Sequence, residues 1–178
     1  MAQFTNQARL IYNDTTYLSN IAVGEITESL SVGKTAAVKS YISGDKITYA
    51  VNIVNGGTAA TGLAFSDNLG AYEFGARTLY PLTYVPNSLI YYVNGAIQPL
   101  PAIAGTSPLE LSGLSIPANG NAVIVYQAQL NEYAPLGPRG RVTNTVTISG
   151  GGLTAPITAE ETIRPNTRPD LSISKSVD

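Results

Sequence analysis

Apolar and polar residues alternate over long stretches of this chain. In residues 44–70, Ile47, Tyr49, Val51 and Ile53 fall on one face and Lys46, Thr48, Ala50 and Asn52 on the other, the period of a half-buried β-strand. Asn55-Gly56-Gly57-Thr58 then brings residues that tolerate positive φ, and a second run follows with Leu63, Phe65, Asp67 and Leu69 on one face. The two runs predict a hairpin-like pair at the centre of the fold. Asp67 is out of place in it, because an unpaired carboxylate among leucine and phenylalanine is costly.

The same period recurs on both sides. One strand is predicted over residues 4–12, a turn at Asn13-Asp14-Thr15, and a second short strand over residues 19–26. Leu30, Val32, Lys34 and Ala36 share the next face, with a lysine in the apolar row. Residues 88–93 run into Asn94-Gly95, the strongest short hairpin signal in the chain. Further strands are predicted at 109–114, 122–129, 142–148 and 157–163, and Asn144 interrupts the row Val142, Val146, Ile148. Arg164 to Pro169 reads as an extended linker, since its prolines remove donors and bias the residues before them to extended backbone. Residues 171–178 form a last strand. Punctuation by Gly, Asn and Pro at this spacing predicts an all-β, immunoglobulin-like β-sandwich, its body at 29–163, flanked by an N-terminal extension (1–28) and by a linker with a C-terminal exchange strand (164–178).

Composition narrows the function classes. The chain has 178 residues, of which 12% are charged, with a net charge of −2 and neither cysteine nor histidine. Such a chain has no basic field for nucleic acid, and it lacks disulfides, thiol nucleophiles, imidazole bases and the usual zinc ligands. No carboxylate cluster has metal-binding spacing, and Glu160-Glu161 and Asp14 have no neighbouring base, so neither a metal, a cofactor nor an enzyme activity is expected. No apolar run is long enough to cross a membrane, and residues 1–10 show no secretory signal, which leaves the route of export open.

The two ends resemble each other at a spacing of about one domain. Phe4-Thr5-Asn6-Gln7-Ala8 matches Val142-Thr143-Asn144-Thr145-Val146, Gly24-Glu25-Ile26 echoes Glu161-Thr162-Ile163, and Leu30-Ser31-Val32-Gly33-Lys34 matches Leu171-Ser172-Ile173-Ser174-Lys175. Short Thr/Asn/Val strands also resemble one another by chance, but the matched Lys and Asn argue for a true repeat. These segments, with residues 44–55, Phe65-Ser66-Asp67-Asn68-Leu69 and Ile116-Pro117-Ala118-Asn119-Gly120, resemble the bacterial conserved-repeat domain catalogued as domain of unknown function eleven. That resemblance spans nearly the whole chain. It implies an immunoglobulin-like sandwich used in tandem in surface and cell-wall proteins, hence a structural or adhesive role. The chain departs from the family's usual context in having one central unit between fragments, with no visible signal or wall anchor.

Lys34, Asp67 and Asn144 lie on apolar faces of the first, a middle and the last strands of the central unit. If those strands meet in the core, a desolvated lysine tends to lose its proton and a desolvated aspartate to gain one. A neutral Lys34 amine is then a nucleophile toward the Asn144 side-chain carbonyl, with Asp67 polarising the carbonyl and moving protons, and the product is an amide cross-link. The alternatives are a buried Lys–Asp ion pair with Asn144 bonded to backbone, or a register slip that turns all three toward water.

Three functions follow for comparison. The first is a structural subunit of a bacterial cell-surface or spore-associated fibre, extracellular, whose partner is itself: residues 171–178 of one copy, with Leu171, Ile173, Lys175 and Val177, meet Asn6 and the N-terminal strands of the next. The second is a monomeric adhesin that binds protein or carbohydrate, for which the tyrosines of residues 72–92 offer a platform or simply good strand residues. An enzyme is the least expected.

Overall fold

A computed structural model describes residues 2–26 and 30–166, and it is all-β. The N-terminal part holds β1 (Ala2–Asn6), β2 (Arg9–Tyr12), β3 (Thr15–Leu18) and β4 (Ala22–Ile26). The single strand expected over residues 4–12 is divided at Gln7-Ala8, and the strand expected over residues 19–26 is confined to β4, because Asn13 and Asp14 at positive φ close a tight β2–β3 hairpin. β1 pairs antiparallel with β4, and among the described residues no strand of the body pairs with either.

The body runs through β5 (Leu30–Ala36), β6 (Ser40–Tyr41), β7 (Lys46–Asn55), β8 (Ala60–Asp67), β9 (Tyr72–Phe74), β10 (Arg77–Leu79), β11 (Leu82–Tyr84), β12 (Ile90–Val93), β13 (Ala96–Gln98), β14 (Ala102–Thr106), β15 (Leu109–Ile116), β16 (Asn121–Leu130), β17 (Val142–Gly150) and β18 (Ile157–Pro165). One six-stranded sheet has the order β13-β12-β16-β7-β5, with β11 also on β16. The other has the order β14-β15-β8-β17-β18-β6. Their inner faces share one core, in which Ile47, Tyr49, Val51, Ile53, Ile124 and Tyr126 of the first sheet meet Leu63, Phe65, Leu111, Val146 and Ile148 of the second.

β7 and β8 are therefore not a hairpin. The expected apolar faces of both are buried, but each strand pairs within its own sheet, and the segment between them arches across the sandwich. The buried Asn55 pins the arch: its Nδ2 donates to Thr58 O (2.7 Å) and Pro117 O (2.9 Å), and its Oδ1 accepts from Gly57 N (3.0 Å). The Asn94-Gly95 hairpin forms as expected between β12 and β13, both turn residues at positive φ. In β15 the inward row shifts phase at a bulge, where Gly113 at φ +80 lets both Leu111 and Leu114 point inward.

The opening segment divides between the sheets. β5 lies beside β7, and β6 crosses over to pair in parallel with β18. β18 continues through Pro165, and Asn166 N donates to Tyr41 O (2.7 Å), so the start of the expected linker belongs to the sandwich. Leu171, Ile173, Lys175 and Val177 lie outside the described residues.

Candidate functional site

Period-two alternation puts the three polar intruders in one place. Lys34 on β5 projects from the first sheet, and Asp67 on β8 and Asn144 on β17 project from the second. Val146 is the cross-strand partner of Asp67, so Asn144, one same-face step further along β17, is its diagonal neighbour. Asn144 is on the penultimate strand, not the last; its partner on β18 is Glu161. Lys34, Asn55, Asp67 and Asn144 are the buried polar or charged side chains among the described residues, and the Lys34 and Asp67 side chains are 0% exposed.

These groups form a continuous chain of contacts. Lys34 Nζ is hydrogen-bonded to Asp67 Oδ2. The same oxygen accepts from the Tyr126 hydroxyl (2.5 Å), and Asp67 Oδ1 accepts from Leu69 N (3.0 Å), with Leu69 itself held at φ +51. Asn144 Nδ2 donates to the Tyr126 oxygen (3.2 Å). A phenol has one proton, and that of Tyr126 is directed at Asp67, so the Asn144 atom facing Tyr126 has to be the amide nitrogen. Asn144 Oδ1 is left buried without a partner, as are the hydroxyls of Tyr49 and of Tyr84. Such orphaned groups are rare in cores.

Aromatic rings wall the site. Tyr49 stacks on Tyr126 with centroids 5.6 Å apart, and Phe65 meets Tyr126 edge-on at 6.4 Å. Lys34 Nζ lies 5.1 Å from the Tyr49 centroid and 5.8 Å from that of Tyr126. Burial pulls Lys34 below the usual lysine range, opposed by the nearby charges of Asp67 and Glu161. Glu161 is in turn bonded to Lys39 (2.5 Å). Burial, then the Asp67 charge, pushes the Tyr126 phenol well above the usual value, so it holds its proton at neutral pH. Tyr49 and Tyr126 escaped the sequence analysis because tyrosine is an ordinary strand residue. Tyr49 was assigned its buried face, but nothing separates a wall of a polar site from a core residue at that level.

Tyrosine burial sets an alkaline limit. The phenols of Tyr41, Tyr49, Tyr91 and Tyr126 are all raised above 10.0, chiefly by burial. In the unfolded chain they ionise first, so the stability they contribute is complete below about pH 10 and is lost as the pH rises beyond it. Lys34 has the opposite sign, its penalty easing toward pH 10.5, but it is one group against four. The urea midpoint is expected to fall above about pH 10; a midpoint unchanged on titration to strongly alkaline pH would contradict this.

The other expected sites fare differently. Asn6 is exposed on β1, opposite Ala22 of β4. The tyrosines of residues 72–92 do not form one platform: Tyr84 and Tyr91 are buried, and the Tyr72 hydroxyl is tied to Tyr133 O (2.8 Å). An open groove of about 370 Å³ is lined by Tyr91, Val93, Pro99, Ile116 and Pro117 with Thr61, Gln98 and Ser115, and the Tyr91 hydroxyl is already engaged with Ser115 O (2.9 Å). Among the described residues no Asp/Glu cluster could hold a metal ion, and no helix is long and apolar enough to cross a membrane.

No protein-family model matches the chain, and no curated protein is similar to it in sequence. Solved structures are similar in fold. A variant of BcpA, the major pilin subunit of Bacillus cereus, superposes with a TM-score of 0.56 at 11% identity, over 92% of this chain and 49% of that one. The pilus backbone protein RrgB of Streptococcus pneumoniae gives 0.53 at 16% identity, over 67% and 31%. The full-length major pilin SpaD of Corynebacterium diphtheriae gives 0.53 at 10%, over 77% and 33%. This chain thus spans between about a third and a half of each. The fold is an immunoglobulin-like β-sandwich of the kind found in pilin domains.

Proposed function

We propose that the chain is a structural module of a bacterial surface fibre, extracellular and non-enzymatic, whose sandwich is locked by an amide bond between Lys34 and Asn144. The observation that carries it is the buried path from Lys34 through Asp67 and Tyr126 to Asn144, which joins the first strand of the unit to the penultimate one across the two sheets. An ion pair alone accounts for Lys34 and Asp67, but not for a buried asparagine whose carbonyl oxygen has no partner.

The chemistry balances without a cofactor. A proton passes from the Lys34 ammonium to the Asp67 carboxylate, leaving a neutral amine and a neutral acid. The amine adds to Cγ of Asn144, the new C–N bond forms, and the bond from Cγ to Nδ2 breaks. Nitrogen leaves as ammonia, which carries the extra proton away as ammonium and restores the carboxylate. A covalent tie between strands of opposite sheets suits a fibre under tension, because the strands it links cannot be pulled apart singly.

Assembly is proposed to be head to tail. Leu171 to Lys175 resembles Leu30 to Lys34 of β5 in sequence, and Phe4 to Ala8 resembles Val142 to Val146 with Asn6 in the place of Asn144; β1 pairs antiparallel with β4 as β17 does with β18, but two residues out of the matching register. The N-terminal sheets expose Leu10, Ile11, Tyr12, Tyr17, Leu18, Ile21 and Val23. Apolar exposure and unpaired strand edges favour addition of a strand from a second copy, and a contact between unlike surfaces has no need to close. The resemblance to tandem bacterial repeats points the same way. A monomeric adhesin remains the alternative, with the groove near Tyr91 as its weaker basis.

Two measurements on the purified chain test this together. Intact mass is expected to be lower than the sequence mass by one ammonia, and full in Asn144→Ala. Electron microscopy is expected to show fibres that vanish, with the sandwich still folded, when residues 171–178 are removed. A full mass in the unaltered chain would sink the cross-link; unchanged fibres after truncation, or a chain that stays monomeric when concentrated, would sink the assembly.

A further inference from the structure

We propose that Tyr126 is a catalytic residue of the cross-linking reaction, relaying the Asp67 proton to the departing nitrogen of Asn144; this rests on the cross-link proposed above. Ammonia leaves an amide only if its nitrogen is protonated, and among the described residues Asp67 makes no hydrogen bond to Asn144. The Tyr126 hydroxyl bridges them, 2.5 Å from Asp67 Oδ2 and 3.2 Å from Asn144 Nδ2.

The direction of the bridge reverses as the reaction proceeds. In the starting state Asp67 is an acceptor and the amide nitrogen has no basic lone pair, so Tyr126 donates to the acid and accepts from the amide. Once Asp67 holds the proton from Lys34 and the amine has added to Cγ, both conditions invert: Asp67 is a donor, and the tetrahedral Nδ2 has a lone pair. Tyr126 then receives the Asp67 proton and gives its own to Nδ2, and the bond from Cγ to Nδ2 breaks with the electron pair going to nitrogen. Tyr126 ends as it began. The relay is shut off from water, because Tyr126 is fully buried between Tyr49 and Phe65. Of the other titratable groups around it, Lys34 on β5, Asp67 on β8 and Glu161 on β18 make no hydrogen bond to Nδ2; Tyr49 on β7 also stands beside Asn144, but among the described residues its hydroxyl has no hydrogen bond to Asp67 from which to draw a proton.

The test follows ammonia loss by intact mass in chain freshly made by cell-free synthesis. Tyr126→Phe keeps the ring and its stack on Tyr49, which circular dichroism and the urea midpoint check, and is expected to slow the loss by about a hundredfold or more, the usual weight of a positioned general acid. A second measurement needs no variant: in mixtures of light and heavy water the rate of the unaltered chain is expected to fall along a curve, since both relayed protons move in one step, whereas a merely structural tyrosine gives no curvature. If Tyr126→Phe loses ammonia as fast as the unaltered chain, or the dependence on deuterium is linear, the relay is overturned while the cross-link stands. If the unaltered chain never loses ammonia, both fall.

Discussion

Asp67→Ala is expected to cost about 3–5 kcal/mol of folding stability, the range for removing one partner of a buried ion pair. Lys34 is left with no acceptor, its side chain is 0% exposed, and the rings of Tyr49 and Tyr126 stand close to it. Leu69 N and the Tyr126 hydroxyl lose their acceptor in the same substitution. The measurement is a urea midpoint at constant slope, on chains that also carry Asn144→Ala so that no cross-link contributes. The double change Lys34→Met with Asp67→Leu is expected to recover most of the loss, because apolar residues of similar volume often replace a buried pair at no net cost. A loss under about 1 kcal/mol for Asp67→Ala would mean that the pair reaches solvent, contrary to its burial.

That contrast bears on why the pair is there. If a Met–Leu pair holds the core as well, stability does not account for Lys34 and Asp67, and the nucleophile with its proton acceptor does. The same holds for Asn144, whose nitrogen is engaged by Tyr126 while its carbonyl oxygen is left open. A structural asparagine in a core is tied at both atoms, as Asn55 is. The two buried asparagines of this sandwich thus have different characters, one fastening an arch and one bonded through its nitrogen to Tyr126 with its carbonyl oxygen open.

Faces were legible in the sequence and partners were not. Alternation says which side of a strand is wet, and on that basis Lys34, Asp67 and Asn144 were placed inside, where they are. It carries no information on which strand lies alongside, so the turn residues 55–58 suggested a hairpin where the chain arches between sheets. Loop composition does not separate the two, because a tight turn and an arch both call for Gly and Asn. Asn94-Gly95 was legible because two residues at positive φ between alternating runs admit little else. Tyr126 was illegible as a site residue since its hydroxyl matters only through what stands across the core, on β8 and β17. The crossing of β6 was hidden too, being a two-residue strand whose pairing with β18 leaves no period to read.

Gly70→Ala is expected to disturb both the fold and the proposed cross-link. Gly70 follows β8 at φ +71, and a Cβ there would lie 2.5 Å from Val142 Cγ1 and 3.1 Å from Pro81 Cγ. A left-handed alanine costs about 1–2 kcal/mol and overpacking about 1–3, so roughly 2–5 kcal/mol in all. Val142 is the neighbour that has to give, and it is two residues from Asn144 on the same face of β17. The two strands are held together at this point by Asn68, whose Oδ1 accepts from both Gly70 N (2.9 Å) and Thr145 N (2.8 Å). A wedge between Gly70 and Val142 therefore moves Asn144 relative to Asp67 and Tyr126, which the chemistry cannot tolerate, since misplacement by about 1 Å is enough to slow a reaction about a hundredfold. Gly33→Ala is the matched control: it sits beside Lys34 on β5, and an added Cβ meets nothing within 4 Å. The control is expected to keep its urea midpoint and its ammonia loss, whereas Gly70→Ala is expected to lower the midpoint and leave a fraction of the chain at full mass. Equal behaviour of the two alanine variants would show that the junction of β8 and β17 does not position the amide.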